Sequence, residues 1–119
     1  AVARLLHRAF YDVRVVWCRF GNVVSADCAA QRELLPADVP VLDLQNPADL
    51  PSFSPDTVLI DALFGSGLNR ALEGPWTTLI DRLNAIPNAV AAIDVPSGLP
   101  CDGVAFGPVW RATHTFSFE

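Results

Sequence analysis

Two acidic residues end two apolar segments that have the composition of buried β-strands. Asp61 comes at the end of the segment 57–62, and Asp94 directly follows the segment 89–93. A carboxylate at the carboxyl end of a buried strand costs folding energy unless a cation or hydrogen-bond donors meet it. Parallel α/β sheets bind their ligands at this same edge. The two acids therefore predict a shared ligand-binding pocket.

The chain between the two acids has room for a loop, a helix and the return to the sheet. Neighbouring strands lie about 4.8 Å apart, so adjacent strands would bring both carboxylates into one crevice. Two close carboxylates repel each other, and then either one of them holds a proton or a cation lies between them. The alternative is that each acid accepts backbone N–H bonds within its own turn. The sequence leaves both interpretations open.

Glycines follow the first acid in the segment Gly65-Ser66-Gly67. Glycine lets backbone N–H groups approach an anion such as phosphate. The dinucleotide-binding motif G-x-G-x-x-G would need a glycine at position 70, where the chain has Arg70, so that motif is absent. A tight loop without a ligand explains the same spacing. Arg70 either helps to hold a diphosphate or is solvated.

Ser97 follows the second acid in the turn Pro96-Ser97-Gly98. It lacks the G-x-S-x-G setting of a hydrolase nucleophile. His7 and His114 lie on a predicted helix and a predicted strand, away from both acids. A Ser-His-Asp triad is therefore unsupported, and Ser97 either forms the turn or is a ligand of a cation held by the acids.

Helices and strands alternate along the chain. Helices are predicted over 1–10, from a cap at Ser25 to about residue 35, and from Gly74-Pro75 to residue 84. Strands are predicted over 13–18, 39–44, 57–62, 89–93 and 113–118, with 57–62 and 89–93 central and 113–118 nearer an edge. This order predicts an α/β fold with a doubly wound, mostly parallel sheet and helices on both faces.

The composition limits the classes of function. The chain has 119 residues and a net charge of −5, without a cluster of basic residues, so we expect no nucleic-acid surface. No apolar run approaches the roughly 20 residues of a spanning helix, so we expect no membrane segment. Three cysteines without Cys-x-x-Cys spacing favour a reducing, cytoplasmic setting over a disulfide framework.

The length predicts a single domain over residues 1–119. The sequence has no methionine, opens inside a predicted helix and stops inside a predicted strand. We therefore expect a domain that is truncated at both ends.

Two segments resemble a known enzyme family. They are DALFGSGLNRALEGP at 61–75 and AIDVPSGL at 92–99, and the likeness extends to the helix at 1–6 and the strand at 115–118. On these motifs the chain is similar to the NAD(P)H-hydrate epimerase family, the YjeF amino-terminal type of domain. The resemblance implies a Rossmann-like, three-layer α/β fold that often forms homodimers.

The resemblance also implies an isomerase of nicotinamide nucleotide repair, which interconverts the R and S forms of hydrated NADH or NADPH. An ADP- or ATP-dependent dehydratase, fused or separate, would be its partner. A bound potassium ion is implied, with Asp61 and Ser97 as ligands, and Asp94 would be the catalytic residue. The implied substrate-binding residues are Gly65, Ser66, Gly67, Leu68, Asn69, Arg70, Ala71 and Asp94.

The chain departs from the family pattern in two places. In the family, an asparagine- and glycine-rich loop that supplies another potassium ligand should lie just before Ala1, and this sequence does not include it. Phe10 stands where a glycine is common. The sequence therefore leaves open whether the fragment alone turns over substrate. Two other classes stay open, which are a non-catalytic nucleotide-binding or protein-interaction module and an unrelated enzyme for a phosphate-bearing ligand on the same architecture.

Overall fold

A computed structural model describes residues 1–21, 24–102 and 104–118. Its elements in chain order are α1 (Val2–Arg8), β1 (Val15–Cys18), α2 (Ala26–Glu33), β2 (Val41–Leu44), a 3-10 helix (Pro47–Asp49), β3 (Leu59–Asp61), α3 (Pro75–Asn84), β4 (Val90–Ile93) and β5 (His114–Phe116). Alternating helices and parallel strands confirm the predicted α/β class. The chain divides into two compact units, residues 1–45 and 46–119. Among the described residues, no helix is long and apolar enough to cross a membrane.

The first unit is built on the parallel pair β1 and β2, with Val15 opposite Val41. Helix α2 begins at the predicted cap, where Ser25 Oγ accepts a hydrogen bond from Cys28 N at 3.2 Å. This bond satisfies one of the N–H groups that a helix start leaves without a partner.

The second unit is built on a parallel sheet in the order β3-β4-β5. Strand β4 is central, as predicted. The prediction of a central β3 is wrong for these described strands, because β3 lies at one end of the sheet and Ile60 is 37% exposed. The register places Asp61 opposite Ala92, which lies two residues before Asp94. The two acids therefore stand at the carboxyl ends of neighbouring parallel strands.

Helix α3 supports the segment that follows Asp61. Its first residue is Pro75, and Leu79, Ile80 and Leu83 are buried along one face, as the sequence predicts. Trp76 packs edge-on against Phe64, with ring centroids 4.8 Å apart. Each fully buried aliphatic side chain contributes about 1.5–3 kcal/mol. The helix is thus held firmly in the core, and its first turn contacts Phe64, which comes directly before the glycine segment.

The end of α1 carries a strained aromatic residue. Phe10 has a φ of 67° and is 98% exposed. Tyr11 N donates to Leu6 O at 3.1 Å and Phe10 N donates to His7 O at 3.0 Å. This pattern is a Schellman motif, whose left-handed position is usually a glycine. The Cβ of Phe10 therefore strains the backbone, and the exposed ring gives no stabilisation from burial in return.

Phe10→Gly should raise the free energy of unfolding by about 1 kcal/mol, because a left-handed residue with a Cβ costs roughly 1–2 kcal/mol. Urea denaturation monitored by circular dichroism measures the change. Phe10→Ala is the matched control, since it removes the exposed ring but keeps the Cβ in the strained conformation. Equal stabilisation by both variants would mean that the exposed ring, not the backbone, is responsible.

Candidate functional site

Asp61 is a fully buried carboxylate held by the second motif. Its Oδ1 accepts a hydrogen bond from Ser97 Oγ at 2.5 Å and its Oδ2 accepts one from Ser97 N at 2.7 Å. Leu63 N approaches Oδ1 at the longer distance of 3.4 Å. Burial raises the pKa of Asp61, and these hydrogen bonds oppose the shift. Neither ion pair of the described residues involves Asp61.

Wild-type protein should lose stability relative to Asp61→Asn as the pH rises. The fold raises the pKa of Asp61 above its ordinary value of 3.8, so it favours the protonated carboxyl. The stabilisation is then complete below pH 3.8 and is lost as the pH rises through the raised pKa. Urea titrations of both proteins at several pH values, without potassium, measure this difference. A difference that is constant, or that grows in favour of wild type with pH, would contradict the assignment.

Ser97 joins the two motifs. It is fully buried, and besides donating to Asp61 its Oγ accepts a hydrogen bond from Phe64 N at 3.1 Å. Its carbonyl accepts one from Trp110 N at 2.8 Å. The next residue, Gly98, has a φ of +94°, and a Cβ there would overlap Pro108 O. The turn therefore needs a glycine directly after the serine.

Asp94 lies just beyond β4 in a strained conformation, with a φ of 74°. Its Oδ2 accepts a hydrogen bond from Ser66 N at 2.7 Å. A Cβ built on Gly65 would lie only 2.9 Å from the same oxygen, so the loop backbone packs directly against the carboxylate. Oδ1 has no hydrogen-bond partner in the part of the chain that is described. One carboxylate oxygen is thus anchored while the other is available.

The two motifs are bonded reciprocally. In the motif 61–75, Asp61 accepts hydrogen bonds from Ser97 of the motif 92–99. In return, Asp94 of the motif 92–99 accepts one from Ser66 of the motif 61–75. Local turns therefore do not account for the placement of the acids, which was one of the alternatives. Burial, rather than a second carboxylate, is the cause of the raised pKa of Asp61. One edge of the sheet therefore holds the carboxylates of Asp61 and Asp94, the hydroxyl group of Ser97 and the backbone N–H group of Ser66.

The loop 65–71 offers backbone donors. Leu68 N donates to Gly65 O at 3.3 Å, which closes a turn. Four other N–H groups have no hydrogen-bond partner among the residues described, and they belong to Gly67, Asn69, Arg70 and Ala71. Arg70 is exposed and takes part in neither ion pair of the described chain. Free N–H groups beside a guanidinium can bind a phosphate.

Sequence reasoning missed several supporting contacts. Cys101 Sγ donates to Ser66 O at 3.2 Å, and Ser117 Oγ donates to Asp94 O at 3.0 Å. Ser117 carried a signal, since it lies on the polar side of the alternating strand 113–118. His7 pairs with Asp38 at 3.0 Å within the first unit.

Two concavities, of about 450 and 570 Å³, lie elsewhere, within residues 1–45. The smaller is lined by Trp17, Arg19, Val24, Ala29, Arg32 and Glu33. The larger is lined by His7, Arg8, Phe10, Tyr11, Asp12 and Asp38. Neither is lined by residues of the two motifs. The hydrogen-bond geometry, not the depth of a hollow, therefore identifies the candidate site.

Asp61 and Ser97 present oxygen atoms only. The buried carboxylate has no cationic partner in the described chain, and its Oδ2 accepts a single hydrogen bond and so keeps a lone pair. No three His, Cys, Asp or Glu side chains cluster among the described residues, as a zinc site would need. This donor set fits a hard cation that binds oxygen.

Proteins of several organisms are similar in sequence to this chain. A protein of Limosilactobacillus reuteri (strain ATCC 55730 / SD2112), named NAD(P)H-hydrate epimerase, is 34% identical over 119 residues, which are 99% of this chain and 54% of that protein. One of Lentilactobacillus buchneri (strain NRRL B-30929), with the same name, is 38% identical over 116 residues, 96% of this chain and 52% of that protein. One of Bordetella pertussis (strain CS), again so named, is 50% identical over 80 residues, 62% of this chain and 34% of that protein.

The chain spans about half the length of the first two of these relatives. No solved structure matches it. The model of the family described as YjeF-related protein N-terminus matches residues 1–119. Because this match covers the whole sequence, the chain belongs to the YjeF-related protein N-terminus family.

Proposed function

We propose that the protein to which this chain belongs is an NAD(P)H-hydrate epimerase, an isomerase of nicotinamide nucleotide repair. The observation that carries the proposal is the state of Asp94, whose Oδ2 is fixed by Ser66 N while its Oδ1 has no partner among the described residues. A carboxylate held in this way can exchange a proton with a bound substrate. The names of the relatives support the choice of substrate.

The chemistry proceeds at the ring carbon that bears the hydroxyl group, next to the ring nitrogen. The nitrogen lone pair forms a double bond to this carbon as the C–O bond breaks, and the Asp94 carboxyl protonates the departing oxygen. Water then adds to the opposite face of the ring, and its proton returns to Asp94 by way of solvent. The same carboxyl thus acts first as acid and then as base, and the configuration of the carbon is inverted.

We assign the diphosphate of the substrate to the loop 65–71. Its unpartnered backbone N–H groups and the exposed Arg70 supply donors and positive charge. The Ser66 N–H bond to Asp94 ties this loop to the reacting carboxyl. Binding of the remote diphosphate would therefore help to place the nicotinamide ring at Oδ1.

We further propose that Asp61 and Ser97 are ligands of a potassium ion. When bound, the ion would supply the positive charge that a fully buried carboxylate lacks. Adding potassium chloride at neutral pH should raise the stability of wild-type protein more than choline chloride of equal ionic strength does, and should not raise that of Asp61→Asn. Thermal unfolding measures both. Equal stabilisation of the two proteins would contradict a site at Asp61.

Two partners belong to the same proposal. Epimerisation does not remove the added water, so a dehydratase, fused or separate and dependent on ADP or ATP, must consume the S form to restore the cofactor. The homodimer implied by the resemblance stays a prediction.

The experiment that tests the function uses the full-length protein and the purified R form of hydrated NADPH. An S-specific dehydratase with its nucleotide is added, and NADPH is followed by its absorbance. Restoration faster than the spontaneous rate is expected, and a rate equal to the no-protein control would refute the proposal. A non-catalytic module would still bind, so calorimetric titration with hydrated NADPH, NADPH and ADP-ribose distinguishes it from a protein without a nucleotide site.

A further inference from the structure

Asp94 needs more than its side-chain bond to stay in place. A φ of 74° is a conformation that residues with a Cβ seldom adopt, so the surrounding structure must hold it. Ser66 N fixes only the carboxylate end of the residue. The direction of the carboxylate also depends on the two peptide groups on either side of the Cα atom. Those groups are held by β5 and by the residue that follows it.

Hydrogen bonds from the end of β5 and from the next residue hold both peptide groups of Asp94. Asp94 N donates to Phe116 O at 2.8 Å, which continues the β4–β5 ladder. Beyond the ladder, Ser117 Oγ donates to Asp94 O at 3.0 Å. This second bond is made by a side chain, and it fixes the peptide that leads from Asp94 into the Pro96-Ser97 turn. The sequence can therefore change it without changing the ladder.

The opposite end of β4 has a matching contact. Thr113 Oγ1 accepts a hydrogen bond from Val90 N at 3.0 Å, and Thr113 N donates to Val90 O at 2.7 Å. Thr113 and Ser117 lie on the same side of the alternating segment 113–118, so two hydroxyl groups hold the two ends of β4. The contact at Val90 holds the start of β4 in the sheet, whereas the contact at the other end holds Asp94.

We propose that Ser117 is a positioning residue for Asp94, whose hydroxyl holds the strained peptide so that Oδ1 stays directed toward the substrate. The inference rests on the proposed epimerase function. Ser117 does not contact the carboxylate, so it takes no proton and acts only through the Asp94 backbone. Because Ser117 is exposed, its replacement removes a hydrogen bond without leaving a cavity in the core.

The test compares Ser117→Ala, Ser117→Thr and wild type in the full-length protein. Loss of one hydrogen bond should lower kcat about five- to tenfold, with KM changed less than about twofold. The threonine variant keeps the hydroxyl and should restore kcat. Thr115→Val is the matched control, since it removes a hydroxyl from β5 that has no hydrogen bond in the described chain, and should leave kcat unchanged.

Unchanged kcat in Ser117→Ala, or no rescue by threonine, would overturn the proposal. A readout independent of turnover separates this failure from failure of the epimerase function. In ¹⁵N-resolved NMR spectra, Ser117→Ala should shift the amide signals of Val95 and Ser66, and Ser117→Thr should return them. If wild type proves inactive but these shifts occur, the function fails while the positioning contact stands. If the Ser66 signal does not move, Ser117 does not position the Asp94 carboxylate.

Discussion

Asp94→Asn is expected to lower kcat for epimerisation roughly a hundred- to ten-thousand-fold, the usual contribution of a general acid–base residue. An amide cannot donate and recover the proton that the departing oxygen needs. Its carbonyl oxygen can still accept the Ser66 N–H bond that now ends on Oδ2 at 2.7 Å. The dissociation constant of the substrate should therefore change only a few-fold. Steady-state kinetics and calorimetry on the full-length variant measure the two quantities separately.

Asp56→Asn is the matched control for this experiment. Asp56 is exposed and has no hydrogen bond among the described residues, so its conversion to the amide makes the same change of charge away from the site. It should leave kcat as it is. Wild-type turnover by Asp94→Asn would exclude Asp94 as the proton donor. A large loss of affinity with kcat unchanged would make it a binding residue instead.

Gly98→Ala should destabilise the protein by at least about 3 kcal/mol. The φ of +94° disfavours any residue with a Cβ, and the new methyl group would overlap Pro108 O and lie 3.2 Å from Val109 Cα. These atoms belong to the backbone, so relief requires a shift of the chain. Such a shift would pull on the neighbouring Ser97 and hence on its bonds to Asp61. Urea denaturation measures the loss, and activity should fall with it.

Gly107→Ala is the control in the same part of the chain. A Cβ at this position meets nothing within 4 Å, and its φ is not in the left-handed range. Its stability should stay within about 0.5 kcal/mol of wild type. If Gly98→Ala is as stable as Gly107→Ala, the Ser97 turn is not constrained as described.

Much of the scaffold follows from local patterns in the sequence. Pro75 starts α3 and its apolar stripe is buried, because proline at the first position and apolar residues at helical spacing specify the element directly. The meeting of Asp61 and Asp94 follows from one further step, since strands joined through a helix run parallel and end at the same edge. These features could be predicted without coordinates.

The exchange of partners between the two motifs could not be predicted. Ser97 either forms a hydrogen bond with Asp61 or only shapes its own turn. Which of the two occurs depends on the distance between two segments that are far apart in sequence, to within a fraction of an ångström. The two positive φ values are also hidden in the sequence. Phe10 is not a residue type that favours a positive φ, and Asp94, although aspartate tolerates this conformation, carries no local signal that it adopts it here. The place of β3 at an end of its sheet depends on which strands pair, and its apolar composition alone predicted the interior.

A crystal structure of the full-length protein with potassium and a non-reactive analogue of hydrated NADPH would show whether Asp94 faces the reacting carbon. We expect the ring hydroxyl within hydrogen-bond reach of Asp94 Oδ1, about 2.6–3.2 Å, and the diphosphate on the loop 65–71. We also expect potassium against the oxygen atoms of Asp61 and Ser97. An analogue bound elsewhere, or an Asp94 Oδ1 already occupied by a protein donor, would contradict the proposed function.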